Sequence, residues 1–226
     1  MRYTPGERGE STFRDRRDAG KQLAESVSRL PDLGDAIVLG LPRGGVPVAF
    51  EVARTCNLPL DIFLVRKLGV PQEPELAMGA VASGGTVVLN ASIVRSIDIS
   101  EEALDAIIAR ERHEMERQER LYRAGRPALS LDGRTVILVD DGLATGASMR
   151  AAAQAVRPRA KQLVIAVPVG APIICEKLRS EADLVVCPLM PEYLEAVGRY
   201  YLNFDQISDD EVRELLAAAH RTREAR

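Results

Sequence analysis

Two adjacent carboxylates, Asp140 and Asp141, stand between an aliphatic run and a turn of small residues. The aliphatic run, residues 136–139, predicts a buried strand that brings both acids to the carboxyl edge of a parallel sheet, where α/β folds bind ligands. The small residues that follow can present several backbone N–H groups at a helix N-terminus, which suits a phosphate, and the hydroxyls of Thr145 and Ser148 add donors. Carboxylates can accept hydrogen bonds from a diol, so the segment favours a sugar phosphate as ligand.

A second turn with the chemistry of an anion site follows the predicted strand at 36–39. Its residues are Pro42, Arg43, Gly44 and Gly45. Two glycines let the backbone approach an anion closely, and the arginine adds a charged donor. Two more cations, Arg66 and Lys67, stand at the end of the next predicted strand, which covers 60–67.

Short apolar runs alternate with amphipathic helical stretches along the chain, which predicts an α/β fold with a Rossmann-like parallel sheet flanked by helices. Further strands are predicted over 76–81, 86–89, 134–139, 163–167 and 184–186. The first two of these flank the turn at 83–85, which predicts a hairpin. Helices are predicted over 13–30, from the glycine turn to about 55, from the Ser100 cap to about 123, over 148–156 and 172–182, and after the Ser208 capping box.

Composition bounds the function classes. With 226 residues, 46% hydrophobic and 28% charged, the chain suits one soluble domain over 1–226. A net charge of −3 disfavours a protein that grips nucleic acid through its phosphates. The absence of a long apolar run or of a signal-like N-terminus predicts a cytoplasmic protein without a membrane span. The three cysteines form no metal or redox motif and are interpreted as small buried hydrophobes.

The segment from residue 136 to Ser148 resembles the ribose-phosphate signature of the type I phosphoribosyltransferases, which use phosphoribosyl pyrophosphate (PRPP) and Mg²⁺. The resemblance covers about 35–190, and the whole chain is similar to stand-alone bacterial members. It implies that Asp140 and Asp141 are the catalytic pair and hold the ribose hydroxyls. The residues implied to wrap the 5′-phosphate are Ala144, Thr145, Gly146, Ala147 and Ser148. One departure is Gly142, where the family usually carries an aliphatic residue.

The turn at 42–45 looks like the pyrophosphate loop of that family, and Arg66 and Lys67 lie where several relatives bind pyrophosphate. In some relatives this loop holds a non-proline cis peptide bond, which here would fall between Pro42 and Arg43. The stretch 70–75 lies where relatives have a mobile loop that closes over the reaction. The resemblance also suggests a homodimer.

The family reaction displaces pyrophosphate from C1 of the ribose by a nucleophile, usually a ring nitrogen. Mg²⁺ keeps water and substrate phosphates as ligands, so no metal ligand from the protein is predicted. Ala144 stands where relatives that use 6-oxopurines carry an acid, which argues against hypoxanthine and guanine; adenine remains a weak lead. A small variable hood at about 188–206 holds four of the nine aromatic residues. Glu192 and Tyr193 are its candidates for base binding, and the alternative is that the aromatics anchor the last helix.

Two other function classes compete with a transferase. A PRPP-sensing regulator would use the same fold without turnover and would need a nucleic-acid surface. The basic residues that could supply one are Arg14, Arg16, Arg17, Arg157, Arg159 and Lys161. They are few and interleaved with acids, so a solvated face is the preferred interpretation. A dinucleotide-binding dehydrogenase fails because no G-x-G-x-x-G follows the first strand.

Overall fold

The computed structural model describes residues 13–70, 73–97 and 99–224. The strands are β1 (Ile37–Gly40), β2 (Leu60–Ile62), β3 (Val65–Val70), β4 (Glu73–Ala82), β5 (Thr86–Leu89), β6 (Thr135–Val139), β7 (Gln162–Ala166) and β8 (Leu184–Val186). The α-helices are α1 (Arg16–Val27), α2 (Gly45–Cys56), α3 (Ala91–Ser96), α4 (Glu101–Arg123), α5 (Ala147–Val156), α6 (Pro172–Leu178) and α7 (Asp209–Glu224). No helix among these residues is long and apolar enough to cross a membrane.

Five of the strands form a parallel sheet in the order β2-β1-β6-β7-β8. Both faces of this sheet are covered. Alternate strand residues such as Ile37 and Leu138 pack with α5 and α6, while Val38 and Ile137 pack with α1 and α2. Burial on both sides explains why these strands read as unbroken aliphatic runs. The predicted fold class is confirmed.

A separate antiparallel sheet, in the order β3-β4-β5, packs with α4 and α7. The predicted hairpin is confirmed, because β4 and β5 pair across a short turn at Ser83–Gly85. Its two glycines have φ values of 81° and 79°, which side-chain-bearing residues rarely adopt. The predicted mobile loop is only partly described: Pro71 and Gln72 lie outside the described residues, and the stretch from Glu73 belongs to β4.

The prediction of one strand over 60–67 is wrong, because this segment contributes to both sheets. The Phe63 backbone N–H donates to the Gly40 carbonyl, which continues the parallel sheet for one more bond. The Leu64 N–H instead donates to the Ser83 hydroxyl at 2.8 Å, and the Ser83 N–H donates back to the Leu64 carbonyl. The chain therefore changes sheets between Phe63 and Leu64.

Candidate functional site

The two acids lie where predicted, directly after β6 at the carboxyl edge of the parallel sheet. Asp140 Oδ1 accepts a hydrogen bond of 2.9 Å from the backbone N–H of Asp141. Burial and the neighbouring charge of Asp141 raise the pKa of Asp140 well above its ordinary value. Burial also raises the pKa of Asp141, against the opposing effect of Arg16. The site therefore holds a carboxyl pair whose negative charge is only partly balanced.

The glycine turn lies directly against this carboxyl pair. A Cβ built on Gly44 would lie 2.1 Å from Asp141 Oδ2, and one built on Gly45 would lie 2.7 Å from the Val139 carbonyl oxygen and 2.8 Å from Asp140 Cα. Only glycine permits these approaches, since real Cβ atoms essentially never come closer than 3.0 Å. The fold thus brings the glycine turn at 42–45 into contact with the carboxyl pair.

The remaining residues of this turn extend it toward the C-terminal helix. The peptide bond between Pro42 and Arg43 is cis, which confirms the expectation from the resemblance. The Arg43 guanidinium is half-exposed and lies 3.7 Å from a carboxylate oxygen of Asp209, at the start of α7. An exposed pair at this distance is weak, so Arg43 can exchange Asp209 for an incoming anion.

The predicted phosphate turn lies exposed at the start of α5, and its small side chains leave its backbone uncovered. Gly146 has φ 69° and precedes the first helical residue, Ala147. Ala144, Thr145, Ala147 and Ser148 are exposed, and Gly146 is half-buried. The turn is anchored beneath by Leu143, whose N–H donates to the Val169 carbonyl and whose carbonyl accepts from the Ala171 N–H. This fixed turn at a helix N-terminus is suited to a phosphate.

Gly142, the departure from the family pattern, has a physical explanation in the structure. A Cβ at this position would lie 2.6 and 2.8 Å from the two methyl carbons of Val197 and 3.1 Å from a methyl carbon of Val169. The Val197 side chain, from the C-terminal segment, therefore occupies the space that an aliphatic residue at 142 would need.

The structure places the predicted cation pair on opposite faces of β3, because side chains alternate along a strand. Arg66 points to α4, where its Nε lies 2.8 Å from Glu111 Oε2. Lys67 is exposed and lines a cavity beside the phosphate turn. Arg66 and Lys67 therefore do not face one common anion in this structure, and pyrophosphate binding by these residues stays a prediction.

Arg16 belongs to the site although the sequence pattern did not single it out for this role. It is 8% exposed, and its Nε donates to Asp141 Oδ2 at 2.8 Å. Its Nη1 donates to the Asp205 carbonyl at 2.7 Å, and the guanidinium lies 3.8 Å from the centre of the Phe204 ring. The interpretation of Arg16 as part of a solvated basic face is wrong. No local signal reveals this role, because its partners lie far along the chain.

The C-terminal aromatics divide into two groups. Tyr201 is buried, and its hydroxyl donates to the Asp141 carbonyl at 2.6 Å. Its ring contacts Phe13 and Phe204, with centroid distances of 5.3 and 4.9 Å. The predicted base-binding residues differ, since Tyr193 is 80% exposed and Glu192 is also exposed. Two of the aromatics thus anchor the C-terminal segment against the carboxyl pair and the start of α1.

The carboxyl pair has the chemistry that a divalent cation requires, namely buried oxygen donors with excess negative charge. The raised pKa of Asp140 marks a charge that a cation nearby would stabilise. Within the described ranges, no group of three or more His, Cys, Asp and Glu side chains is placed so that it could hold a metal ion by itself. These residues therefore suit Mg²⁺ that takes most of its ligands from a substrate and water.

Replacing Asp140 with asparagine is expected to stabilise the protein at neutral pH. Because the pKa of Asp140 is raised on folding, the folded chain holds an extra proton between the ordinary and the raised pKa. The free energy of unfolding therefore falls as pH rises through this window, and the neutral amide removes that loss. We expect the melting temperature at pH 7.5 to rise by about 3 °C, because a gain of about 1 kcal/mol in the free energy of unfolding raises the melting temperature by that much in a chain of this size.

The matched control is Asp105→Asn, at an exposed position of α4. Calorimetric melting from pH 4 to 8 should show a shallower fall in stability for Asp140→Asn than for the control. Parallel curves for the two variants would contradict the assignment of a buried, charge-destabilised carboxyl.

Comparison with known proteins gives a consistent result. A family model described as "Phosphoribosyl transferase domain" matches residues 14–192. A Mycobacterium tuberculosis protein named "Putative phosphoribosyl transferase", found in two strains, is 48% identical over 210 residues, which are 92% of this chain and 47% of the relative. The chain thus spans about half the length of the curated relatives it matches. The crystal structure of a Thermus thermophilus protein has 45% identity and a TM-score of 0.80, and the match covers 91% of this chain and 98% of that one.

Proposed function

Since the chain belongs to the phosphoribosyl transferase domain family, we propose that it transfers the 5-phosphoribosyl group of PRPP to a ring nitrogen of a heterocycle and releases pyrophosphate. The observation that carries this proposal is the contact of the Gly44–Gly45 backbone with Asp140 and Asp141. One sheet edge thereby joins a glycine anion turn to a carboxyl pair. The phosphate turn at 144–148 follows the same pair along the chain.

Each element receives one part of PRPP in this proposal. Asp140 and Asp141 accept hydrogen bonds from the ribose hydroxyls, and the turn at 144–148 holds the 5′-phosphate through its N–H groups and hydroxyls. The turn at 42–45 holds the pyrophosphate, with Arg43 as its charged donor. Lys67 is a further candidate for the pyrophosphate, and Arg66 would have to leave Glu111 to join it.

The reaction asks the protein for position and charge rather than for covalent chemistry. As the bond from C1 to pyrophosphate breaks, positive charge develops on the ribose, and the carboxyl pair lies beneath the position where the ribose would bind. Fixing the 5′-phosphate and the pyrophosphate at two turns aligns C1 with the acceptor. Mg²⁺, held by the substrate with Asp140 and Asp141 as the nearest protein anions, would neutralise charge on the departing pyrophosphate.

The C-terminal segment is the proposed hood of this single domain. Residues 188–206 reach the carboxyl pair through Tyr201, and Val197 lies against the neighbouring Gly142, so an acceptor above C1 would meet this segment. Glu192 and Tyr193 remain candidates to contact it, and their exposure leaves both side chains free to turn toward a bound base. Ala144 supplies no carboxylate for a 6-oxopurine. We propose that the active unit is a homodimer, as the resemblance suggests.

The test is release of pyrophosphate from PRPP and Mg²⁺ with a panel of purines, pyrimidines and other nitrogen heterocycles. Release is expected with one acceptor class, and we expect it to fall below detection in Asp140→Asn/Asp141→Asn. The matched control is Asp35→Asn/Asp105→Asn, which removes two exposed acids and should leave the rate unchanged. Calorimetric titration of PRPP runs beside the assay.

The alternative of a PRPP-sensing regulator is an outcome of the same experiment. PRPP binding that the double variant abolishes, with no release for any acceptor, would replace the transferase by a sensor. The structure does not favour a nucleic-acid surface, since most of the basic residues weighed for one pair with carboxylates. Those pairs are Arg14–Asp18, Arg16–Asp141, Arg17–Glu51, Arg157–Asp183 and Arg159–Asp132. Absence of PRPP binding would contradict both functions.

A further inference from the structure

A cavity of about 610 Å³ lies between helices α5 and α6 and the antiparallel sheet. Its size is that of a typical small-molecule site, which spans about 300–1,000 Å³. One wall is the phosphate turn, contributed by Thr145, Gly146, Ala147 and Ser148. Neither the carboxyl pair nor the glycine turn at 42–45 lines it. The cavity is therefore a compartment that shares one wall with the proposed PRPP site and extends away from it.

The charge of this cavity is unlike that of the chain. It is lined by Lys67, Arg150 and Lys177, and none of the described residues that line it is acidic. The whole chain has more acids than bases, 33 against 30. Many cations elsewhere pair with carboxylates, as Arg66 does with Glu111, whereas these three form no ion pair among the described residues. Three cations that line one cavity without a counter-charge among the described residues indicate a site for an anion.

The rest of the lining is apolar and would not suit a free inorganic anion. The antiparallel sheet contributes Val65, Val88 and Leu89, and α6 contributes Ile174 and Leu178. Leu89 is 41% exposed although it lies within a strand. An apolar part of a ligand would cover such side chains and remove them from water. The occupant should thus combine an anionic group with an apolar body.

We propose that this cavity binds an organic phosphate, a phosphorylated molecule with an apolar or aromatic body such as a nucleoside diphosphate. Its phosphates would lie among Lys67, Arg150 and Lys177, near the N-terminus of α5, and its body would lie along Val88, Leu89 and Ile174. Phosphate fits better than a single carboxylate because three cations and the hydroxyls of the shared turn offer more donors than one carboxylate accepts. The site goes beyond the proposed transferase reaction and shares with it the turn at 144–148 and Lys67, so the test leaves these residues unchanged.

The test uses ADP as probe and the full chain, with binding measured by calorimetry. We expect the wild type to bind one ADP for each chain. We expect Arg150→Gln/Lys177→Gln to bind ADP at least about tenfold more weakly than the wild type, because two charge-assisted contacts are lost. The matched control is Lys21→Gln/Arg29→Gln, which removes two exposed cations of the N-terminal region and should bind ADP like the wild type.

PRPP titrations separate this proposal from the proposed function. Arg150→Gln/Lys177→Gln is expected to bind PRPP normally and ADP weakly, while Asp140→Asn/Asp141→Asn is expected to do the reverse. Loss of ADP binding in the aspartate variant would place ADP in the PRPP site and overturn the inference. ADP affinity that is undetectable in the wild type, or unchanged in the Arg150/Lys177 variant, would overturn it as well. Melting curves verify that each variant is folded.

Discussion

Replacing Gly44 with alanine is expected to weaken PRPP binding by about 10- to 100-fold while the chain stays folded. The new methyl carbon would start 2.1 Å from Asp141 Oδ2 and 2.8 Å from its Cγ, so the carboxylate has to move. It cannot move freely, because Arg16 Nε holds the same oxygen at 2.8 Å and itself lies 3.4 Å from that methyl position. Overpacking of this kind costs about 1–3 kcal/mol, which here falls on the proposed ribose contact.

The measurement is calorimetric titration of PRPP with Mg²⁺, and the control is Gly34→Ala. Gly34 has no atom within 4 Å of its hypothetical Cβ, so the same chemical change there should leave the affinity unchanged. Circular dichroism should show that Gly44→Ala keeps its helix content. An unchanged PRPP affinity in Gly44→Ala would mean that Asp141 does not contact the ligand.

Replacing Arg16 with methionine should lower the free energy of unfolding by about 3–5 kcal/mol at pH 8, because it leaves Asp141 buried without its partner. Arg16 holds the pKa of Asp141 down against the effect of burial, so this pKa rises further in the variant. Between the ordinary and the raised pKa, stability falls as pH increases. The loss should therefore be much smaller at pH 5 than at pH 8, as measured by urea unfolding.

Two variants distinguish this account from simple loss of packing. Arg14→Met changes an arginine whose side chain is 74% exposed, and it should cost well under 1 kcal/mol. Adding Asp141→Asn to Arg16→Met removes the unpaired charge and should recover part of the stability, which a double-mutant cycle would report. A pH-independent loss with no recovery would show that Arg16 acts through its contacts with the Phe204 ring and the Asp205 carbonyl and not through Asp141.

The parts of the site that could be predicted from the sequence are those encoded by neighbouring residues. The run before Asp140 has the composition of a strand buried on both faces, and the structure ends β6 at Val139. The small residues after Leu143 likewise predict an exposed turn that opens α5, which begins at Ala147. The cis bond after Pro42 came from the resemblance and not from any local pattern.

The parts that failed depend on partners distant in the sequence. Residues 62–65 are an unbroken apolar, β-prone run, and only the pairing of Leu64 with Ser83 divides this run between two sheets. Arg16 looks like any helical arginine until Asp141 is placed beside it. The sequence shows the C-terminal aromatics as a group, but it does not show that Tyr201 contacts the Asp141 carbonyl while Tyr193 faces solvent.

The close fit of Val197 against Gly142 bears on how the C-terminal segment could be exchanged between related proteins. By the resemblance, members of the family usually carry an aliphatic side chain at position 142, and here Val197 of the C-terminal segment occupies that space. A C-terminal segment grafted from a relative that has an aliphatic residue at the position of Gly142 would leave a gap over Gly142 here. The reverse graft would bring Val197 into a clash with that aliphatic residue. The unit that can be exchanged between members of the family is therefore the segment together with residue 142, and a library built on this scaffold should vary the two positions jointly.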